Sequence, residues 1–127
     1  MAKIIGIDHV QVAMPAGGEE TARRFYGGVL GLAELPKPEQ LAVRGGVWFA
    51  CGAQQLHLGA EPYFVAAKKA HPALLVDQLG ALLAILRARG VELRLEPPIA
   101  GAERATIADP FGNRIELIER QAVSAKK

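Results

Sequence analysis

Four residues of the chain have side chains that could bind a metal ion: His9, His57, His71 and Glu116. The single cysteine, Cys51, excludes a cysteine-rich structural zinc site. Imidazole and carboxylate ligands suit Zn, Ni, Fe or Mn. Cysteine-free sites with room for water or substrate are usually catalytic. The residue types therefore predict an enzyme with a divalent metal ion as its cofactor.

The four residues fall into two pairs of similar separation. His9 precedes His57 by 48 positions (57 minus 9), and His71 precedes Glu116 by 45 positions (116 minus 71). Taken singly, each has an ordinary structural explanation. His9 could be a hydrogen-bonded histidine at a strand edge, and His57 could lie on a solvated face. His71 could close a loop, and Glu116 could belong to a row of surface charges. The matched spacing favours one metal site over four separate explanations.

Glu116 lies in a strand-like segment directly after the sequence Asp109-Pro110-Phe111-Gly112-Asn113. Proline fixes φ, while glycine and asparagine tolerate positive φ, so this segment is typical of a chain reversal. A slip of one residue in the following strand would move Glu116 to the opposite face. The turn is therefore expected to set the direction of the Glu116 carboxylate.

The elements that must position these residues occur twice in the same order. A strand over Lys3–Met14, a helix beginning near Glu19 and two strands ending with QLHLGA precede the linker Glu61–Ala70. A strand over Ala70–Gln78, a helix that Asp77 could cap and three further strands follow it. The order predicts an α+β fold of two βαβββ modules, about residues 3–60 and 70–120, in a single domain over 1–127.

Strand parity supports a shared face for the four residues. His57 opposes Leu56 and Leu58, and Glu116 opposes Ile115 and Leu117. Since side chains alternate between the faces of a strand, the apolar neighbours can bury while the polar residue faces a site. We expect the first and last strands of both modules to bring the four groups together.

The composition restricts the class of protein. Half of the residues are hydrophobic and 22% are charged, which excludes wholesale disorder. The formal charge of +2 is too small to indicate a nucleic-acid partner. No apolar run approaches the roughly 20 residues of a membrane span, and no signal peptide is evident. With one cysteine, these features predict a cytoplasmic protein, and the terminal AVSAKK is expected to fray.

The chain resembles the vicinal oxygen chelate superfamily, which includes glyoxalases, fosfomycin-resistance transferases, extradiol dioxygenases and bleomycin-resistance proteins. The resemblance rests on four motifs: IDHVQVAM, FYGGVLGL, QLHLG and ADPFGNRIELIE. It implies a cupped, mostly antiparallel sheet with helices on its outer face, commonly in a homodimer. By position, His9, His71 and Glu116 match the ligands of the three-ligand members. The glyoxalases usually carry Glu or Gln at the place of His57.

Some departures from the superfamily narrow the activity. Gln11 stands where the fosfomycin enzymes carry a threonine, and the chain is shorter than most extradiol dioxygenases. The resemblance therefore favours glyoxalase-like chemistry on a small-molecule substrate, of isomerase, lyase or epimerase type. A metal-free binding or antibiotic-sequestering protein of the bleomycin-resistance type is the alternative, and a member whose site has decayed is a third.

The predicted mechanism needs a base beside the ion. Glu116 is the first candidate for the catalytic base and His57 the second. Arg104 and Arg114 could hold an anionic group of the substrate, although solvated strand arginines are the simpler explanation. Of Trp48 and Phe49, one is expected to line the pocket and the other to pack in the core, because neighbours face opposite ways.

Overall fold

The computed structural model describes residues 1–121, which form two compact units that divide after Ala66. The first unit contains the first predicted module and the second unit contains the other. The terminal segment AVSAKK, predicted to fray, lies outside the described residues.

The first module builds a four-stranded mixed sheet in the order β1-β4-β3-β2. Strand β1 pairs with β4 in parallel, whereas the β3–β4 and β2–β3 pairs are antiparallel. Its elements are β1 (His9–Pro15), α1 (Glu19–Ala22), a π-helical segment (Arg23–Val29), β2 (Glu34–Leu35), α2 (Glu39–Ala42), β3 (Val47–Cys51) and β4 (Gln54–Glu61).

One face of this sheet carries the core of the first module. The strands contribute Met14, Phe49, Leu56 and Leu58, each almost fully buried. Tyr26 from the π-helical segment packs against Phe49 with ring centroids 5.8 Å apart. The alternation of faces required that either Trp48 or Phe49 pack in the core, and the structure shows that Phe49 does so.

Two local features of the first module differ from the sequence-based prediction. Strand β1 begins at His9 rather than at Lys3, because its register with β4 begins at the His9–Gln55 pair. The predicted helix is α-helical only over its first turn and continues as a π-helix. This wider helix buries the consecutive side chains of Phe25 and Tyr26.

A glycine pair joins α2 to β3 and is held by the first helix. The Gly46 N–H donates to Glu19 Oε2 at 2.7 Å, and both Gly45 and Gly46 have positive φ, at 75° and 93°. The hydrogen bond from Gly46 lowers the pKa of Glu19. Glu19, at the acidic start of the helix, therefore stabilises the turn that leads into β3.

Replacing Glu19 with glutamine should reduce stability by about 1 kcal/mol at pH 7, since a partly exposed, charge-assisted hydrogen bond is lost. A carboxyl group whose pKa is lowered in the folded state stabilises above its unfolded pKa, about 4.3 for glutamate. That contribution disappears as the pH falls through the folded pKa. The difference between wild type and Glu19→Gln should therefore narrow below about pH 4.3.

Urea unfolding from pH 3 to pH 7 measures this effect. Glu20→Gln is the matched control, because Glu20 is exposed and pairs with Arg23 only at 3.4 Å. A stability difference for Glu19→Gln that stays constant over this pH range would contradict the assignment.

The second module repeats the topology, with a four-stranded mixed sheet in the order β5-β8-β7-β6. Again the first and last strands, β5 and β8, pair in parallel, and the other pairs are antiparallel. Its elements are β5 (Ala73–Leu75), α3 (Leu79–Ala88), β6 (Leu93–Ile99), β7 (Ala102–Ala108) and β8 (Arg114–Arg120). The α+β class and the doubled βαβββ module are thereby confirmed.

Helix α3 begins in a way that the sequence did not predict. No side chain caps it from its own N-terminus, so the expectation that Asp77 would do so is wrong. Instead Glu119, in the distant strand β8, accepts a hydrogen bond from the Leu79 N–H at 2.9 Å. The helix buries Leu79, Leu83 and Leu86 and ends before Gly90, whose φ is 74°.

Candidate functional site

In the first module, His57 is enclosed between two other rings. It lies in β4, where its neighbours in register are Gln11 of β1 and Trp48 of β3. The imidazole stacks on Trp48 with a centroid distance of 4.0 Å and an interplanar angle of 3°. On its other side it stacks on His9 at 4.2 Å and 16°. The residue is therefore only 4% exposed.

This stacking restricts what the two histidines can do together. A ring nitrogen binds a metal ion through a lone pair in the plane of the ring, at about 2.0–2.1 Å for zinc. The planes of His9 and His57 are nearly parallel and lie on top of each other, so their lone pairs do not meet at one ion. In this arrangement only one of the two can be a ligand.

The hydrogen bonds of His9 and His57 determine which nitrogen of each ring stays available. His57 Nε2 is 2.8 Å from Gln55 Oε1, and burial, followed by the charge of His9, lowers the pKa of His57. The neutral His57 ring thus donates from Nε2 and keeps Nδ1 as its basic nitrogen. His9 Nδ1 lies 2.9 Å from Asp8 Oδ2, an arrangement that leaves His9 Nε2 available to a ligand.

In the second module, His71 and Glu116 form a direct pair. His71 Nε2 is 3.2 Å from Glu116 Oε1, and His71 Nδ1 is 2.8 Å from the Lys69 carbonyl oxygen. Both neighbours of the ring are acceptors. His71 Nε2 and the Glu116 carboxylate therefore form a nitrogen and oxygen donor pair of the kind that can bind a metal ion.

Arg104 holds the other oxygen of Glu116. Arg104 Nε donates to Glu116 Oε2 at 2.8 Å, and Arg104 Nη1 donates to the Pro97 carbonyl oxygen at 3.0 Å. The hydrogen bond from Arg104 is the main cause that lowers the pKa of Glu116, with burial acting in the opposite direction and His71 adding to the effect. A carboxylate in this environment stays ionised, which suits a ligand better than a base.

The turn before β8 is built by the side chain of Asp109. Its Oδ1 accepts hydrogen bonds from the N–H groups of Phe111 at 2.9 Å and Asn113 at 2.8 Å, and its Oδ2 accepts one from Asn113 Nδ2 at 2.9 Å. Gly112 supplies the positive φ, at 91°. The register that follows pairs Glu116 with Thr106 on one side and Ala73 on the other. The turn thus precedes a strand register in which Glu116 lies between the buried residues Ile115 and Leu117.

Each module therefore brings together its own pair of the four predicted residues: His9 with His57, and His71 with Glu116. Within residues 1–121, no group of three or more His, Cys, Asp or Glu side chains is gathered as an ion-holding cluster. That the four residues share one ion remains a prediction.

Sequence reasoning missed two of the groups that orient the candidate ligands. The Lys69 carbonyl holds His71 and Arg104 holds Glu116, whereas the contact of His9 with the adjacent Asp8 is the hydrogen bond that the sequence already offered. Trp48 was expected as a possible pocket residue, and it covers His57. A signal for Arg104 was present, since a strand pair that sets Thr106 against Glu116 also brings Arg104 to the same face.

Within the part of the chain that the structure describes, no helix has the length and apolar character needed to cross a membrane.

Several solved structures resemble this chain in sequence or in fold. A search of curated proteins finds no match. A putative glyoxalase family protein from Bacillus anthracis is 47% identical, with a TM-score of 0.91, over 95% of this chain and 99% of that one. A lactoylglutathione lyase from Agrobacterium tumefaciens is 22% identical, with a TM-score of 0.71, over 90% and 92%. A fosfomycin resistance protein from Listeria monocytogenes is 15% identical, with a TM-score of 0.73, over 94% and 97%.

The latter two similarities show the fold alone. A sequence model of the family described as the Glyoxalase/Bleomycin resistance protein/Dioxygenase superfamily matches residues 6–117, which is most of the chain. The match includes His9, His57, His71 and Glu116. The chain belongs to the Glyoxalase/Bleomycin resistance protein/Dioxygenase superfamily.

Proposed function

We propose that this chain is a metal-dependent enzyme of the glyoxalase-like type, in which His9, His71 and Glu116 bind a divalent ion. When bound, such an ion acts as a Lewis acid on two adjacent oxygens of a small substrate. The reaction class is an isomerisation, a lyase reaction or an epimerisation. The nitrogen and oxygen donors fit Zn, Ni, Fe or Mn.

The observation that carries this proposal is the orientation of the two histidines. His9 and His71 each have Nδ1 fixed by an oxygen atom, at 2.9 Å and 2.8 Å. Metal-binding histidines almost always use the second ring nitrogen in this way, which fixes the tautomer and the ring direction. Nε2 of each ring is then the nitrogen presented to an ion, and in His71 it already faces Glu116.

His57 is proposed as the base rather than as a fourth ligand. Its ring is stacked against His9, so it does not share an ion with His9 in this arrangement. Because burial lowers its pKa, the ring is neutral near pH 7 and can accept a proton from substrate at Nδ1. Glu116 is a weaker candidate for the base, because Arg104 and His71 occupy both of its oxygens.

The proposal extends to the setting of the enzyme. A small molecule with vicinal oxygens is the substrate, two copies of the chain form a homodimer, and the enzyme works in the cytoplasm. One cysteine and ordinary charge support the last point.

A metal-free binding protein of the bleomycin-resistance type is the second candidate. The stack of Trp48, His57 and His9 supports it, since aromatic faces of this kind also bind planar organic molecules without an ion. Metal content separates the two candidates.

Metal analysis of the purified chain should find about one ion per set of ligands after loading with Zn, Ni, Fe or Mn. Glu116→Gln and His9→Ala should each weaken metal affinity by about 100-fold or more, since both remove a ligand rather than an orienting group. Equilibrium dialysis followed by elemental analysis measures this without any substrate.

The matched control is Glu103→Gln, which makes the same chemical change at an exposed carboxylate of β7 in the same module. It should bind metal as the wild type does. No metal above background in the loaded wild type, or equal metal content in Glu116→Gln and wild type, would reject the metal enzyme.

A further inference from the structure

A cavity of about 360 Å³ opens on the second module, within the β6–β7–β8 part of its sheet. Its polar lining consists of Arg94, Arg114, Thr106 and Glu92. With two arginines against one glutamate, the lining has a formal excess of positive charge.

The cavity borders the candidate ligand Glu116. Arg114 precedes Glu116 by two positions in β8, so both side chains lie on the same face of the strand, about 7 Å apart along it. Thr106, which also lines the cavity, is the direct partner of Glu116 in the neighbouring strand. A small molecule bound at Glu116 therefore has this cavity within its reach.

The three arginines of this face differ in what they already bind. Arg104 is held by Glu116 and the Pro97 carbonyl, and Arg94 Nε donates to Glu96 Oε2 at 3.1 Å. The Nε of Arg114 is buried and has no hydrogen-bond partner among the described residues 1–121. Because Arg114 also lines the cavity, the charge of its guanidinium group is within reach of an anionic ligand bound there.

The guanidinium group narrows the chemistry of that ligand. Its N–H donors form a planar fork that matches the two oxygens of a carboxylate or phosphoryl group. A neutral carbonyl would accept one hydrogen bond and leave the positive charge of Arg114 uncompensated.

Building on the proposed function, we propose that Arg114 anchors an anionic group of the substrate, either a carboxylate or a phosphoryl-type group. The vicinal oxygens of the same molecule lie at the ion, and a short carbon chain joins the two ends. Arg114 thereby selects acidic substrates, while Arg104 holds Glu116 in place.

Hydroxamates test this, because they chelate metal ions through two adjacent oxygens and can be obtained with or without a charged group. We would titrate the metal-loaded chain with neutral acetohydroxamate, with succinohydroxamate, which carries a carboxylate, and with phosphonoacetohydroxamate. At least one anionic probe should bind about tenfold more tightly than the neutral one. The anionic probe that gains affinity identifies the carboxylate or the phosphoryl class.

Arg114→Gln should abolish that preference and leave acetohydroxamate binding unchanged, which a general loss of structure would not do. Arg87→Gln, the same change at an exposed position of α3, should keep the preference. If Arg114→Gln does not fold, Arg114→Lys replaces it, and it should reduce the preference by about threefold because the fork is lost.

The outcomes for the anchor and for the metal site are distinguishable. If all three probes bind the wild type equally, or if the variants of Arg114 keep the preference, the anchor is rejected and the metal site stands. If the chain binds no metal, the proposed function fails, and inorganic phosphate is titrated into the metal-free chain. Phosphate binding that Arg114→Gln weakens then supports the anchor, and unchanged or undetectable binding rejects it.

Discussion

Replacing Gly46 with alanine should lower the free energy of unfolding by about 3–5 kcal/mol, because two unfavourable effects combine. A Cβ atom at this position would lie 2.4 Å from the backbone carbonyl oxygen of Leu58. The φ of 93° is also one that residues with a Cβ rarely adopt. Since domains of this size are stable by only about 5–15 kcal/mol, this change should be visible as a much lower urea midpoint.

Gly52→Ala separates the two effects. Gly52 also has positive φ, at 59°, but a Cβ atom there meets nothing within 4 Å. Its replacement should cost only about 1 kcal/mol, the backbone part alone. If Gly46→Ala and Gly52→Ala destabilise equally, the close approach between the start of β3 and β4 is not what requires glycine.

Replacing Asp109 with alanine should cost about 3–5 kcal/mol, because it leaves buried donors without acceptors. Asp109 and Asn113 are only 5% and 6% exposed, and the Asp109 carboxylate accepts three hydrogen bonds within the turn. Thermal unfolding followed by circular dichroism measures the loss. Metal affinity should fall with it, since the turn sets the register that places Glu116.

Asp109→Asn is the matched control, because it keeps Oδ1 for the two backbone N–H groups of Phe111 and Asn113. It replaces Oδ2 with a donor facing Asn113 Nδ2, so it should cost about 1–2 kcal/mol, clearly less than alanine. An alanine variant as stable as the asparagine variant would show that the carboxylate does not hold the turn together.

The parts of the fold that were predictable have strong local signals. The β3–β4 hairpin, helix α3 and the last two strands followed from alternation, helical spacing and turn residues. The doubled module followed from the repeated order of elements. The start of β1 was not predictable, since Lys3–Asp8 has the composition of a strand and the β1–β4 pairing first reaches His9. Nor was the π-helix, which depends on packing Phe25 and Tyr26 together.

Among the four candidate ligands, the structure shows contacts only as two pairs within the described residues 1–121, and a shared site remains a prediction. Parity and the matched spacing identified which four side chains to compare, and the structure brings them together two by two within the modules. Parity cannot give ring orientation, so the parallel stacking of His9 on His57 was not foreseen. Composition likewise treated Arg104 and Arg114 alike, whereas it is Arg104 that donates a hydrogen bond to the Glu116 carboxylate.

In both modules the strand that opens the unit lies beside the strand that closes it. These neighbours are among the most distant parts of the module in sequence, and closing a long loop of chain carries an entropic cost that nearby contacts do not. The contacts of His9 with His57 and of His71 with Glu116 thus belong to the costly long-range part of each module. Under the proposed function, an ion bound at these residues would favour the chain in which both strand pairs have closed.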